Sequence, residues 1–260
     1  MAAKREKMTV SRRRDILEQI KKSGEVLISE LSKQFHVTEV TIRNDLEYLE
    51  KRNLVMRARG GAINVENHVG IDKSIMDKNR LHSMEKISIG RRSVELIKSG
   101  ETIILDSGTT TAEIAKNLEG FEHLTVITNA LNIVNILISQ SNINLIVPGG
   151  VVRQHSMSLV GPLAEKNMRN FFVDKAFIST DGFDTRQGVY TPNIEEASLN
   201  AVMIEISKEI ILVTDSSKFS RKSLVFICGL DKIKTVVTDN GISDEDKKRL
   251  EDAGIQVIVA

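Results

Sequence analysis

The sequence predicts an α/β protein in three stretches: a winged helix-turn-helix over residues 1–63, a linker over 64–82, and a mostly parallel α/β domain over 83–260. Three observations carry this. Apolar residues in the segment from Phe35 to Leu49 recur at helical spacing, a glycine pair sits between two short β-prone pieces just beyond it, and short apolar strands alternate with helices from Thr102 to the end.

Residues 1–10 are polar and read as frayed. Ser11 is the expected N-cap of a helix to about Lys22, with Ile16, Leu17 and Ile20 inward. Arg12, Arg13 and Arg14 near its start oppose the helix dipole unless an anion lies close, and a phosphate backbone would supply one; a solvated charge run is the alternative. Ser23-Gly24 ends this helix, and Val26-Leu27-Ile28 reads as a short strand or the entry to a second helix ending at Phe35.

In FHVTEVTIRNDLEYL, Val40 is followed by Ile42, Leu46 and Leu49, the last three at i, i+4 and i+7, which places them on one buried helix face. The opposite face offers Thr41, Arg43, Asn44 and Glu47, and the Thr38 hydroxyl can cap the first turn. Two short helices separated by His36 and Val37, the second presenting Thr, Arg and Asn outward, form a helix-turn-helix; an ordinary helix pair in a bundle is the alternative. Lys51-Arg52-Asn53 closes the turn. Leu54 to Ile63 then folds as a hairpin about Gly60-Gly61, a wing, with Arg57 and Arg59 in strand-like alternation pointing the same way toward a phosphate or a narrow minor groove.

Charge supports the division. Residues 1–62 carry 14 Lys+Arg against 9 Asp+Glu, net +5, whereas the remainder carries 22 against 26, net −4, a balance that suits nucleic acid at one end and something else at the other. A hydrophobic share of 41% with 27% charged residues is that of a globular protein with a real core. No apolar run reaches the roughly 18 residues of a membrane span and the start lacks an apolar signal segment, so a cytoplasmic protein without membrane attachment is expected. Cys228 is the single cysteine, which excludes an intrachain disulfide and a zinc cluster, and its apolar neighbours read as core.

Asn64 to about His82 is polar and aperiodic, hence the linker. Ser83 to Ile97 is helical, with Ile87, Val94 and Ile97 inward, and Ser99-Gly100 stops it. Strands are expected at Thr102–Leu105, Leu124–Thr128, Asn144–Val147, Lys175–Ser179, Ile210–Thr214, Thr235–Thr238 and Gln256–Val259, and helices at Thr111–Leu118, Ala130–Ser139, Leu163–Asn170, Glu195–Ser207 and Asp244–Ala253. Such alternation gives a sheet covered on both faces, whose ligands sit at the carboxyl ends of the strands.

The first of these ends is Asp106-Ser107-Gly108-Thr109-Thr110-Thr111, a glycine turn with consecutive hydroxyls that suits one phosphate. It lacks the lysine of a P-loop and the glycine pattern of a dinucleotide site, so no nucleotide cofactor is expected; a capped βα turn is the alternative. Thr128-Asn129 ends the second strand, and Pro148-Gly149-Gly150 ends the third, with Arg153 and Ser156 beyond. The fourth delivers Asp181, Gly182 and Asp184, where the carboxylates could be a catalytic pair, metal ligands or acceptors for sugar hydroxyls. Glu195 and Glu196 follow, and the fifth strand places Lys218 at the same rim.

TEVTIRNDLEYLE followed by RARGGA resembles the N-terminal domain of the DeoR family of bacterial transcriptional repressors, and ILDSGTTT, TN, PGG, DGFD and TDSSKF resemble its C-terminal sensor domain, related in fold to ribose-5-phosphate isomerase. Asn44 stands where the family usually has a basic residue, which bears on base preference because Asn pairs with adenine edges and Arg with guanine. The resemblance implies a repressor of a sugar operon, by similarity to repressors of N-acetylgalactosamine and related amino-sugar catabolism, released from operator DNA by a phosphorylated sugar. It further implies that Asp106 and the Gly108–Thr111 loop hold the effector's phosphate region, and that Asp181 and Lys218 match the sugar-contacting aspartate and substrate-contacting lysine of the isomerase pattern. Gly188 to Asn193 replaces the isomerases' lysine-glycine run, so sensing rather than turnover follows, with an isomerase fused to a DNA-binding domain as the alternative.

The expected DNA-facing residues are therefore Arg12, Arg13, Arg14, Thr38, Thr41, Arg43, Asn44, Arg57 and Arg59. The expected effector residues are Asp106 to Thr111, Thr128, Asn129, Gly149, Gly150, Arg153, Asp181, Gly182, Glu195 and Lys218. No catalytic residue, metal or cofactor is expected, and the partners are double-stranded operator DNA, the phosphorylated sugar and further copies of the chain in a dimer or tetramer.

Overall fold

The computed structural model describes residues 2–51, 54–64 and 70–260. Its contacts divide the chain into two compact units, 1–71 and 72–260. The expected turn residues Arg52 and Asn53, and 65–69 of the expected linker, lie outside the described residues.

The first unit runs α1 (Ala2–Ser23), β1 (Glu25–Leu27), α2 (Ile28–Gln34), α3 (Glu39–Glu50), β2 (Val55–Ala58) and β3 (Gly61–Asn64). Contrary to the frayed start and the Ser11 cap read from the sequence, α1 begins at Ala2, because Ala-Ala-Lys-Arg-Glu-Lys-Met contains good helix formers and no Gly or Pro. Its Ile16 and Ile20 join Leu31 of α2, Ile42, Leu46 and Leu49 of α3, and Val55 and Ala62 of the wing in one core. The wing gains β1 as a third strand, in the order β1-β3-β2. Gly61 permits this pairing, since a Cβ there would lie 2.0 Å from the Val26 carbonyl oxygen.

The second unit opens with α4 (Ile75–Arg80) and α5 (Ser83–Val94), so Asp72 to His82, expected as linker, belongs to the α/β unit. Ser74 caps α4 by accepting from the Asp77 amide, Ile75 is buried, and its amide donates to the His155 carbonyl, which is why a polar, aperiodic stretch is ordered here. The chain continues β4 (Thr102–Leu105), α6 (Thr109–Ala115), β5 (Leu124–Thr128), α7 (Leu131–Leu137), β6 (Ile143–Ile146), β7 (Val151–Arg153), β8 (Ser158–Val160), α8 (Pro162–Met168) and β9 (Val173–Ile178). Then follow β10 (Gly182–Asp184), β11 (Gly188–Thr191), α9 (Ile194–Glu205), β12 (Ser207–Val213), β13 (Val225–Cys228), β14 (Thr235–Thr238), α10 (Asp244–Asp252) and β15 (Gln256–Val259).

Seven strands form one sheet in the order β15-β14-β12-β9-β4-β5-β6, every pairing parallel. Alternate strand residues serve opposite faces. Ile103, Leu105, Phe177 and Ile211 pack with α5, α6 and α7, whereas Ile104, Ala176, Ile178 and Ile210 pack with α8 and α9. Coverage on both faces explains why these strands read as unbroken apolar runs. The chain builds outward from β4 through β5 to β6, then returns to the other side of β4 with β9, so the strand order reverses between β4 and β9. That reversal is where such sheets leave a crevice at the carboxyl ends.

Two small antiparallel pieces were not anticipated. β7 and β8 form a hairpin, and β10, β11 and β13 form a three-stranded sheet whose last strand contributes buried Cys228 to a core with Phe183, Val189 and Phe219. Among the described residues no helix is long and apolar enough to cross a membrane.

Candidate functional site

The two strands flanking the reversal point end in Asp106-Ser107 and Ser179-Thr180-Asp181, and their ends are stitched together. The Asp106 amide donates to the Phe177 carbonyl, and the Asp106 carboxylate accepts from the Ser107 amide at 2.6 Å and from the Ser179 amide and hydroxyl, each at 3.2 Å. Gly108 is required by closeness, not by its extended backbone: a Cβ would meet the Ser179 hydroxyl oxygen at 2.6 Å.

A cleft opens over these ends. Its floor is Asp106 to Thr110 with Ser179, Thr180 and Asp181; Lys218 and Asp215 border it after β12; and Ile75, Lys78, Leu81, His82 and Lys86 of the α4–α5 segment form another wall. Lys78 is ion-paired with Asp181 at 2.7 Å, and the two side chains are 21% and 20% exposed. Burial works against both charges, yet mutual attraction prevails: the Lys78 ammonium is held above its usual range, with Glu196 and Asp72 adding to the pull, and the Asp181 carboxyl is held below its own, with Lys218 and Arg221 helping. Lys86 donates to the Lys78 and Leu81 carbonyls at 2.6 and 2.7 Å and so ties the segment down from beneath. Burial lowers its pKa to about 8, the nearby cations Lys218 and Lys78 adding to this while Asp215 opposes it. Burial raises the Asp106 carboxyl to about 7 despite its hydrogen bonds, with Glu196 contributing.

Of the expected effector residues, Asp106, Ser107, Gly108, Thr109, Thr110, Asp181 and Lys218 come together in this cleft. The others do not line it. Thr111 turns inward and donates to the Asp106 carbonyl, Thr128 donates to the Leu105 carbonyl, and the Asn129 amide donates to the Leu159 carbonyl. Gly149 and Gly150 lie in the turn leading to β7, where a Cβ on Gly150 would strike the Val160 carbonyl, and Gly182 sits in β10 against the Arg221 backbone. Arg153 lies a layer behind, paired with Asp72 and with Glu196 at 3.2 Å. Glu195 is exposed because Asn193 caps α9 and sets its phase, which turns Glu196 inward instead. Sequence reading missed Lys78 and His82 because their segment reads as a linker, and missed Lys86 and Asn200 because neither type is distinctive within a helix. Among the described residues no cluster of three His, Cys, Asp or Glu side chains could hold a metal ion.

In the first unit Thr38 caps α3 as expected, its hydroxyl oxygen accepting from the Thr41 amide at 3.3 Å and lying 3.0 Å from the Thr41 hydroxyl. Arg43 and Asn44 are exposed, with Arg43 paired to Glu39 at 2.9 Å. Arg12 and Arg13 are otherwise engaged: their Nε atoms donate to the two oxygens of buried Asp45 at 2.6 and 2.7 Å, and Arg13 also lies over the Tyr48 ring. These two arginines therefore clamp α1 onto α3, whereas Arg14 is solvent-facing, 3.7 Å from Asp15. Arg57 is in β2, but Arg59 is in the turn with Gly60, so the two do not share a strand register; both are exposed.

A winged three-helix unit with an outward polar helix, joined to an α/β unit whose reversal point holds a cleft lined by lysines, carboxylates and hydroxyls, defines a ligand-responsive DNA-binding regulator. Residues 12–68 match the DeoR-like helix-turn-helix domain and residues 81–240 the DeoR C terminal sensor domain. The chain belongs to the DeoR family of transcriptional repressors. It is 38% identical over 252 residues to a protein of Escherichia coli O157:H7 named "Putative aga operon transcriptional repressor", covering 96% of this chain and 94% of that one. It is 36% identical over 250 residues to the HTH-type transcriptional regulator YulB of Bacillus subtilis, covering 96% of each. Among solved structures, ribose-5-phosphate isomerase A of Methanocaldococcus jannaschii aligns at 18% identity and a TM-score of 0.39, covering 52% of this chain and 53% of that one.

Proposed function

We propose that this repressor controls a sugar-catabolic operon, specifically one for an amino sugar, and that a phosphorylated sugar in the cleft releases it from its operator. The cleft carries this reading. Lys78, Lys86 and Lys218 and the hydroxyls of Ser107, Thr109 and Thr110 offer an anion its donors, while Asp181 on the opposite strand end can accept from sugar hydroxyls. The amino-sugar assignment draws on the similarity to the Escherichia coli protein named for the aga operon.

Thr38, Thr41, Arg43 and Asn44 face the operator's bases or adjoining phosphates, and Arg14, Arg57 and Arg59 its backbone, with Arg12 and Arg13 acting mainly by holding the helices together. The ligand releases DNA only if it favours a state that holds DNA poorly. The protein works in the cytoplasm as a homo-oligomer, dimer or tetramer, assembled largely through the α/β unit, because symmetric readers match paired half-sites. Sensing rather than isomerisation is favoured by the state of the carboxylates: Asp181 is ion-paired with Lys78, and Glu196 accepts from Arg153 and Ser158.

The test is a gel shift at stated salt on DNA from the protein's own promoter region, with a panel of sugar phosphates that includes galactosamine 6-phosphate. Release by one phosphorylated sugar but not its unphosphorylated form is expected. Specific binding indifferent to every sugar phosphate would remove the effector from this reading, and turnover of the sugar phosphate would favour the isomerase.

A further inference from the structure

Three residues of α3 lie furthest from its buried stripe. At roughly 100° per residue, Val40, Asn44 and Glu47 all fall about 140–160° from Ile42, which is fully buried. Asn44 and Glu47 are unremarkable there. Val40 is not, for it is 61% exposed while Ile42, Leu46 and Leu49 of the same helix are at most 3% exposed. It lies in the first turn of a helix capped by Thr38, and the helix's other exposed apolar side chain, Tyr48 at 37%, is covered by the Arg13 guanidinium 3.7 Å above its ring. A β-branched residue in an exposed helix position costs stability through restricted rotamers and gains nothing by burial. Polar alternatives there would be cheaper unless the methyls meet something apolar.

The N-terminal residues of a recognition helix are those that reach base edges, and the major groove presents one apolar group, the C5-methyl of thymine. Resting on the reading of α3 as the DNA-facing helix, we propose that Val40 is a specificity-determining residue that packs against a thymine methyl. Asn44 lies one turn on, along the same line of the helix, about 6 Å away by the helical rise. That distance is close to two base-pair steps at 3.4 Å each, so an adenine read by Asn44 and the thymine met by Val40 lie one or two steps apart. The charged neighbours do not compete for the same spot, since Arg43 is paired with Glu39 and Glu47 with Lys51 at 2.8 Å.

Promoter-region DNA synthesised with deoxyuridine in place of thymidine removes the methyls and leaves every base-pairing edge intact. The wild-type chain is expected to bind the uracil fragment about 4-fold more weakly for each methyl contacted, the size of effect expected for one buried methyl-sized group. Val40→Ala, on an exposed helix position that alanine favours, is expected to bind thymine DNA as weakly as wild type binds uracil DNA and to lose little more on uracil. Val40→Thr, which keeps the branch and one methyl, should fall between. An uracil penalty of the same size in wild type and Val40→Ala would overturn the proposal, as would equal weakening of specific and nonspecific DNA by Val40→Ala. Absence of any specific binding by wild type would instead overturn the DNA-facing role of α3, and the proposal with it.

Discussion

Asp45→Asn should loosen the DNA-binding unit without touching the α/β unit. The Asp45 side chain is 2% exposed and takes the Nε atoms of Arg12 and Arg13 on its two oxygens, while the arginines are 13% and 22% exposed. A hydrogen bond to a charged group contributes about 1.5–3 kcal/mol, so two intact pairs would sum to about 3–6 kcal/mol. Asparagine keeps one acceptor oxygen and loses the charge, and both guanidinium groups reach water and can rehydrate, which brings the expected loss to about 2–3 kcal/mol. A unit this small has only a modest stability to lose. Hydrogen exchange on the full-length chain reads this directly: amides of α3 around Ile42 to Leu49 should exchange about 30- to 150-fold faster, and those of β4 should not change. Unchanged protection across α3 would refute the argument that Asp45 clamps α1 to α3, and would return Arg12 and Arg13 to the pool of free phosphate ligands.

Lys78→Met should give a protein that still binds its operator but needs at least 10-fold more sugar phosphate for release in a gel shift, since one charge-assisted contact to the anion is lost. Anion affinity should fall with rising pH in two stages, near 7 as Asp106 gains its charge and near 8 as Lys86 loses its own; sulfate, whose charge is constant over this range, is the probe for calorimetric titration. The same Asp106 shift makes a stability prediction: its folded pKa lies above the unfolded 3.8, so its contribution falls as pH rises from about 4 to 7, as denaturant titration of the α/β unit would show. Gly61→Ala should cost roughly 3 kcal/mol or more, because the added Cβ meets a backbone carbonyl that cannot move aside without breaking the β1–β3 pairing; loss of specific DNA binding at 37 °C with unchanged ligand binding is the readout.

The elements legible in the sequence are those whose signal is local. β4, β5, β14 and β15 stand where apolar runs end in turn residues, and Thr38 caps α3 as its hydroxyl and position imply. The pieces that were not legible depend on distant partners. β11 pairs with β13 across a long stretch of sequence, and neither four-residue strand has enough pattern of its own to be seen. The cleft shows the same division. The Asp106–Thr110 turn announces itself as a strand end rich in hydroxyls, but Glu195 and Glu196 are adjacent glutamates that only the phase of α9 separates, one outward and one inward. Lys78 and Lys86 belong to a stretch whose order comes from Asp181, Asp72 and the carbonyls at 78 and 81, none of which a linear reading places nearby.

The single cysteine gives the α/β unit a built-in clock. Cys228 is buried in the edge strand of the three-stranded sheet, and burial, with Asp231 adding to it, pushes its thiol up to about 12. A thiol reagent therefore finds almost no thiolate in the folded chain at neutral pH and reacts only when that sheet opens. The rate of labelling times the opening of one corner of the molecule without any added probe, and a cysteine placed on an exposed face of either unit can carry a dye without the native thiol competing for it.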